Sequence, residues 1–234
     1  MAHIRPYQPS DAEAAKHICR ATLPPNLASS PGAFALAPYV WTLQYTLLCP
    51  SNCFVLDDGS GRAVGYVIGT PDVFAFAEAY PRYVSEVLQS EQGRRDVPPP
   101  QQLDTLEPWL RSDNVDVEDV EKGKVVNARC MAQLAYNPRW LLLEGVRGKE
   151  ELTEEYRATM HIDLVDGWQG QGWGRKMIER FVESVRNSGG NYGKGIHIGV
   201  SGENTKVVAF YERVGFRVYP GGEAEGNVWM VRDV

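Results

Sequence analysis

No stretch of this sequence approaches the 18 consecutive apolar residues that a membrane-crossing helix needs, and no basic leader precedes an apolar core near its start. A membrane span and a secretion signal are therefore not expected, and the chain reads as a soluble cytoplasmic protein. Basic charge is also scarce. Lys and Arg number 24 against 30 Asp and Glu, for a net charge of −6. A nucleic-acid-binding face needs clustered positive charge, so that class is set aside. An acidic balance suits a cationic small molecule, although it serves solubility in most proteins. Cysteine is sparse too. Cys19, Cys49, Cys53 and Cys130 are scattered, and His3, His17, His161 and His197 lack ligand spacing. Reduced, mostly buried thiols are expected, with no metal site. A P-loop is excluded because no segment has G-x-x-x-x-G-K-[ST].

What remains is ordinary for a globular chain: 234 residues, 43% hydrophobic and 23% charged. That length favours one domain over residues 1–234. Residues 3–7 read as a strand. Ser10-Asp-Ala-Glu13 has capping-box spacing ahead of a helix that stops before Pro24-Pro25. Proline-rich residues 24–38 read as loop and 39–48 as a buried helix. Residues 52–57 and 63–69 form a hairpin signal, with Gly65 and Gly69 suggesting a bulge or a close backbone approach. Residues 71–150 read as an irregular insertion with short helical pieces and an acidic run over 113–121. A strand over 157–165, a long helix, a strand over 195–200, a helix capped by Asn204, and a final hairpin complete the order. The sum is an α/β (α+β) fold, a mixed sheet with helices on both faces.

One stretch organises the rest: His161-Ile-Asp-Leu-Val-Asp-Gly-Trp-Gln169-Gly-Gln-Gly-Trp-Gly-Arg175. Met160, Ile162 and Leu164 alternate with His161, Asp163 and Val165, a strand period. Gly170, Gly172 and Gly174 then fall at every second position, before Met177, Ile178, Phe181, Val182 and Val185 recur at helical spacing. A glycine-rich loop opening a helix presents unpaired N–H groups beside the positive end of the dipole, a place for phosphate or pyrophosphate. A dinucleotide fingerprint fails, because after Gly172 and Gly174 its third glycine falls on Met177.

Gln169-x-x-Gly172-x-Gly174 resembles the cofactor motif of the GNAT acetyltransferase superfamily. Asn204-Thr-Lys-Val-Val-Ala-Phe-Tyr-Glu-Arg-Val-Gly-Phe216 resembles that family's second signature. Residues 3–13 and 52–69 resemble its opening strand and helix and its central hairpin. His161-Ile-Asp-Leu, the glycine loop and Val64-Gly-Tyr-Val-Ile-Gly-Thr-Pro-Asp72 are also similar to the acetyltransferase-like C-terminal domain of O-GlcNAcases and its stand-alone microbial relatives. This chain has no room for a glycosidase domain.

The resemblance implies a mostly antiparallel GNAT-like sheet and acetyl-CoA as cofactor. The pyrophosphate would rest on Gln169, Gly170, Gln171, Gly172, Trp173 and Gly174, with Arg175 and Lys176 adding charge. Main-chain groups of Ile162, Leu164 and Val165 would hold the acetyl carbonyl and the pantetheine arm, which Asn204 would also contact. Tyr211 matches the tyrosine that protonates the leaving thiolate. Asn204 as a plain helix cap and Tyr211 as packing are the alternatives. His161 and Asp163, two apart on one strand, share a face. An alkyl ammonium has a pKa of about 10.4, so a base is needed. Asp163 is the preferred base or amine anchor and His161 a further substrate contact, while His197 reads as structural. The expected activity is direct N-acetyl transfer to a primary amine, with a small amine or amino sugar ahead of a protein lysine. A catalytically silent acyl-CoA-binding domain is the alternative. Monomer and homodimer both remain open.

Overall fold

The computed structural model describes residues 1–112, 124–144, 147–201, 205–224 and 227–234. Its main sheet has seven strands: β1 (His3–Pro6), β2 (Phe54–Asp57), β3 (Ala63–Thr70), β6 (Ala158–Leu164), β7 (Gly195–Ser201), β8 (Arg217–Ala224) and β9 (Asn227–Asp233). They lie in the order β1-β2-β3-β6-β7-β9-β8. Every pairing is antiparallel except β6 with β7. This is the mixed, mostly antiparallel sheet expected. A separate ribbon pairs β4 (Leu110–Ser112) with β5 (Lys124–Val126).

The two faces of the sheet are covered by different helices. Strand alternation sends Val67 and Met160 to one face, where Met177, Phe181 and Val185 of helix α9 (Trp173–Arg186) pack on them. Gly69 permits that approach, since a Cβ there would stand 2.1 Å from the Thr159 carbonyl oxygen and 2.7 Å from the Phe181 ring. The close contact expected of this glycine is therefore present. Tyr66 and Ile68 point to the other face. There they meet α1 (Ala12–Ala21), α3 (Pro31–Trp41), α4 (Leu43–Leu48) and α5 (Val73–Tyr83) in a second core that includes Ile18, Tyr39, Tyr45 and Phe76.

Several local expectations are corrected. The Ser10 capping box does not form. A 3-10 turn, Pro9–Asp11, precedes α1 instead, and the Gln8 N–H donates to the Asp11 carboxylate at 2.9 Å. Residues 24–38, expected as loop, hold the short α2 (Pro25–Ala28) and most of α3. Pro25 and Pro31 open these helices, where a missing N–H costs nothing, and Ser30 caps α3 by accepting from the Ala33 N–H. The helix read over 39–48 is broken at Thr42, between α3 and α4.

Residues 71–150 are less irregular than expected. They hold α5 with a π-helical continuation (Val84–Leu88), α6 (Glu91–Asp96), the ribbon, α7 (Ala128–Tyr136), a π-helical turn (Arg139–Leu143) and α8 (Lys149–Glu155). These pieces are short and interrupted by proline and glycine, so their periodicity is weak in the sequence. Burial holds them: Tyr80 donates to the Ala135 carbonyl at 2.9 Å and Tyr83 to the Tyr39 carbonyl at 2.7 Å. The acidic run over 113–121 lies outside the described residues.

The first strand is fastened by charge. Arg5 makes a two-pronged contact with Asp11 (2.7 and 2.8 Å) and reaches Asp57 at 2.8 Å. Both carboxylates are buried, and Arg5 lowers the pKa of each, that of Asp57 to about 2. A lowered folded pKa gives stability above the unfolded value, about 3.9, that is lost as pH falls towards 2. Arg5→Met should therefore cost roughly 2–4 kcal/mol at neutral pH, by stranding two carboxylates. It should also flatten the acid limb of stability between about pH 4 and pH 2. Urea titrations of both proteins across that range test this, and an equally steep acid limb in the variant would refute it.

Candidate active site

Strands β6 and β7 pair only at Ala158↔Ile196 and Thr159↔His197. Thr159 secures the junction, donating from Oγ1 to the His197 carbonyl at 3.0 Å. Beyond it β6 stays on β3 and β7 stays on β9, so a gap opens between them. A cleft of about 590 Å³ lies in this gap. Its walls are residues 160–163 of β6 and 198–200 of β7, with Thr22, Pro24 and Pro25 at one side and Val207 and Tyr211 of α10 (Thr205–Arg213) at the other.

The open edge of β6 is polar main chain. The Val165 N–H donates to the Val64 carbonyl at 3.1 Å, which sets the alternation of the β3–β6 ladder. Residues 159, 161 and 163 spend their N–H and C=O groups on β3, and those of Ile162 and Leu164 turn towards β7. Gln169 takes the Leu164 carbonyl, donating from Nε2 at 2.7 Å. The N–H groups of Ile162 and Leu164 and the Ile162 carbonyl therefore edge the cleft as an unfinished strand. Val165 departs from the expectation, because its N–H serves Val64 and its carbonyl accepts from Trp168.

Next comes the glycine loop. Gly170 and Gly172 adopt φ of +72° and +81°, a left-handed conformation that a side chain would strain, and a Cβ at either would meet nothing. Gly174 serves packing: a Cβ there would lie 3.0 Å from the Phe210 ring of α10. Gly172 caps α9, whose first turn carries no acidic residue, so the positive dipole end has no internal counter-charge. Gln171 donates to the Gly167 carbonyl, so this side chain, like that of Gln169, braces the loop. Arg175 is turned away, giving its guanidinium to the Arg213 carbonyl at 2.8 Å. Lys176 lies over the Trp173 ring at 4.5 Å. Asn204 lies outside the described residues.

Asp163 and His161 share a face, as their spacing implies, and both are partly exposed through the cleft. Asp163 faces Tyr66 directly across the ladder, and the Tyr66 hydroxyl donates to Asp163 Oδ2 at 2.5 Å. Tyr66 is 1% exposed, and its hydroxyl also lies 3.4 Å from Thr42 Oγ1. Crowding by protein pushes the Asp163 pKa above the usual carboxylate range, and the hydrogen bond from Tyr66, with the nearby Thr22 hydroxyl, draws it partly back. Burial lowers His161 to about 4, so its imidazole is neutral, with its ring 5.4 Å from that of Tyr45. Burial, reinforced by nearby Asp163, raises the Tyr211 phenol, which stays protonated. His197 is buried and bonded to the Tyr156 carbonyl at 2.6 Å, in keeping with a structural part.

Sequence reasoning missed Tyr66, Thr22 and the two prolines. Tyr66 sat in a β-rich run with no signal beyond its hydroxyl, and its partner lies 97 residues away. A second hollow, about 250 Å³ between α3 and α7, offers no comparable chemistry. Its Gln133 is occupied internally by Gln102 and Glu107.

Residues 104–216 match the model of the acetyltransferase (GNAT) family. The chain is similar to a protein named SsHAT, at 28% identity over 99% of this chain and 98% of the other, with a TM-score of 0.72. The protein PH1933 from Pyrococcus horikoshii OT3 shares the fold at 12% identity, covering 100% and 99%, with a TM-score of 0.54. An acetyltransferase at 15% identity, covering 99% of each chain, has a TM-score of 0.50.

Proposed function

From the premise that this chain has the GNAT fold and a GNAT acetyltransferase family match, we propose that it is an acetyl-CoA-dependent N-acetyltransferase acting on a primary amine by direct transfer. The observation that carries the reading is the juxtaposition in one cleft of an unpaired strand edge, a carboxylate and a phenol. The residues present fit the cofactor: a glycine loop with open space above it, an uncompensated helix N-terminus, and free main chain on β6.

Acetyl-CoA, when bound, supplies the activated acetyl group as a thioester. The N–H groups of Trp173, Gly174 and their neighbours at the start of α9 would hold its pyrophosphate. Main-chain groups of Ile162 and Leu164 would align its pantetheine arm as an added strand, and one of these amides would stabilise charge on the acetyl oxygen. Asp163 accepts a proton from the amine, which is otherwise almost wholly ammonium at neutral pH. Tyr66 holds Oδ2, so Asp163 meets the amine in one orientation. Tyr211, kept protonated, gives its proton to the departing sulfur. None of the cysteines lines the cleft among the described residues, which supports transfer without an acyl-enzyme. The acceptor is a small amine, with an amino sugar supported by the likeness to O-GlcNAcase-associated domains.

Asp163→Asn should lower kcat/KM by roughly 10² to 10⁴, with partial recovery as pH rises and free amine accumulates. Tyr66→Phe removes a bond to the charged carboxylate, so the Asp163 pKa rises and the acid limb of kcat/KM moves to higher pH. A thiol-release assay over pH 5 to about 10 reads both effects, and an unmoved limb in Tyr66→Phe would sink the proposed pairing. Tyr211→Phe should reduce kcat by about 10² with little change in acetyl-CoA affinity. Gly172→Trp should abolish acetyl-CoA binding in calorimetry while costing only about 1–2 kcal/mol of stability through its positive φ. Normal affinity in that variant would show the pyrophosphate to be misplaced.

A further inference from the structure

Among the described residues Asp163 has no cationic partner. Its carboxylate accepts a hydrogen bond from the Tyr66 hydroxyl at 2.5 Å, and the Thr22 side chain lies at the same wall, its own hydroxyl donating to the Ile18 carbonyl. Around it the cleft wall is neutral: Thr22, Pro24, Pro25 and His161 on the β6 side, and Ile198, Gly199 and Val200 on β7. Among the described lining residues no Lys or Arg reaches the cleft, and Asp163 is the one charge. Described basic groups of α1, α9 and the segment leading into β6 are committed elsewhere. Arg20 of α1 donates to the Phe34 and Ala35 carbonyls, Lys16 pairs with Glu13, and Arg157 ahead of β6 grips Asp72. Arg175 of α9 serves the Arg213 carbonyl.

An ammonium entering this cleft meets an uncompensated carboxylate and completes it. A carboxylate or phosphate carried next to that ammonium meets no positive group. It lies near a like charge and loses water to apolar walls. Resting on the acetyltransferase reading of the same cleft, we propose that the acceptor is a small cationic amine on a carrier with no anionic group near the reacting nitrogen. Amines bearing a carboxylate or phosphate beside it are rejected. Selection rests on the lack of a counter-cation among the described lining residues, which leaves a second, negative group unpaired.

The test uses two matched pairs, 2-aminopropan-1-ol against alanine and ethanolamine against O-phosphoethanolamine. Binding of each to the full chain saturated with coenzyme A is measured by calorimetry, and thiol release from acetyl-CoA is measured in parallel. The neutral-carrier member of each pair should bind roughly tenfold or more tightly than its anionic counterpart. The preference should shrink to within about threefold in Asp163→Asn, where the like charge is gone. Equal or tighter binding of the anionic members overturns the inference, and so does absence of binding by all four. Preserved binding preference without thiol release leaves the charge selection standing and sinks acetyl transfer. Thiol release with a reversed preference does the opposite.

Discussion

The early divergence of β6 from β7 is the constraint on which the rest of the molecule depends. Two residue pairs, Ala158 with Ile196 and Thr159 with His197, hold the strands together, and each strand then follows its other neighbour. Had the parallel ladder continued, Ile162 and Leu164 would have spent their main-chain groups on β7. Strand alternation places Asp163 and Ile162 on opposite faces of the sheet, so in an unbroken sheet they could not serve one site. The gap removes that barrier. Through it Tyr211, from a helix packed on the α9 side, reaches the same space as Asp163, from the α1 side.

The polar floor of that space is small and expensive to build. A carboxylate crowded by protein is costly unless hydrogen-bonded, and Asp163 is stabilised by the Tyr66 hydroxyl rather than by any described cation. The two kinds of partner have opposite consequences. A lysine or arginine would hold Asp163 as a firm anion and fill the place an ammonium must take. Tyr66 orients the carboxylate while leaving its pKa raised, nearer the range where a base both accepts and releases a proton. Arg5 with Asp11 and Asp57 shows the other solution in the same chain, where charge pairing holds structure.

The strands of the main sheet and the long helix α9 were legible because each carries a strong local pattern: β6 by alternation, α9 by Met177, Phe181 and Val185, and the hairpin of β2 and β3 by its β-rich runs. The short helices of residues 24–38 were not, and those of 71–150 were legible only in part, as helical pieces without firm bounds. Pro25 and Pro31, read as loop signals, instead start helices, and α5 and α7 owe their order to buried hydroxyl contacts made across the chain. Of the site, the glycine loop and the shared face of His161 and Asp163 were legible. The engagement of Arg175 by the Arg213 carbonyl and the inward turn of Val165 were not, since both depend on what lies beside them.

From the sequence alone came the main strands and the long helix after the glycines, the glycine spacing itself, and the sharing of one strand face by His161 and Asp163. These are properties of a few consecutive residues, and backbone geometry determines them locally. Only the tertiary structure decided that Tyr66 holds Asp163, that the edge of β6 stays open, and that no described lysine or arginine lines the cleft. Each of these is a relation between segments tens of residues apart, produced by packing and by where neighbouring strands part, and no local pattern encodes it.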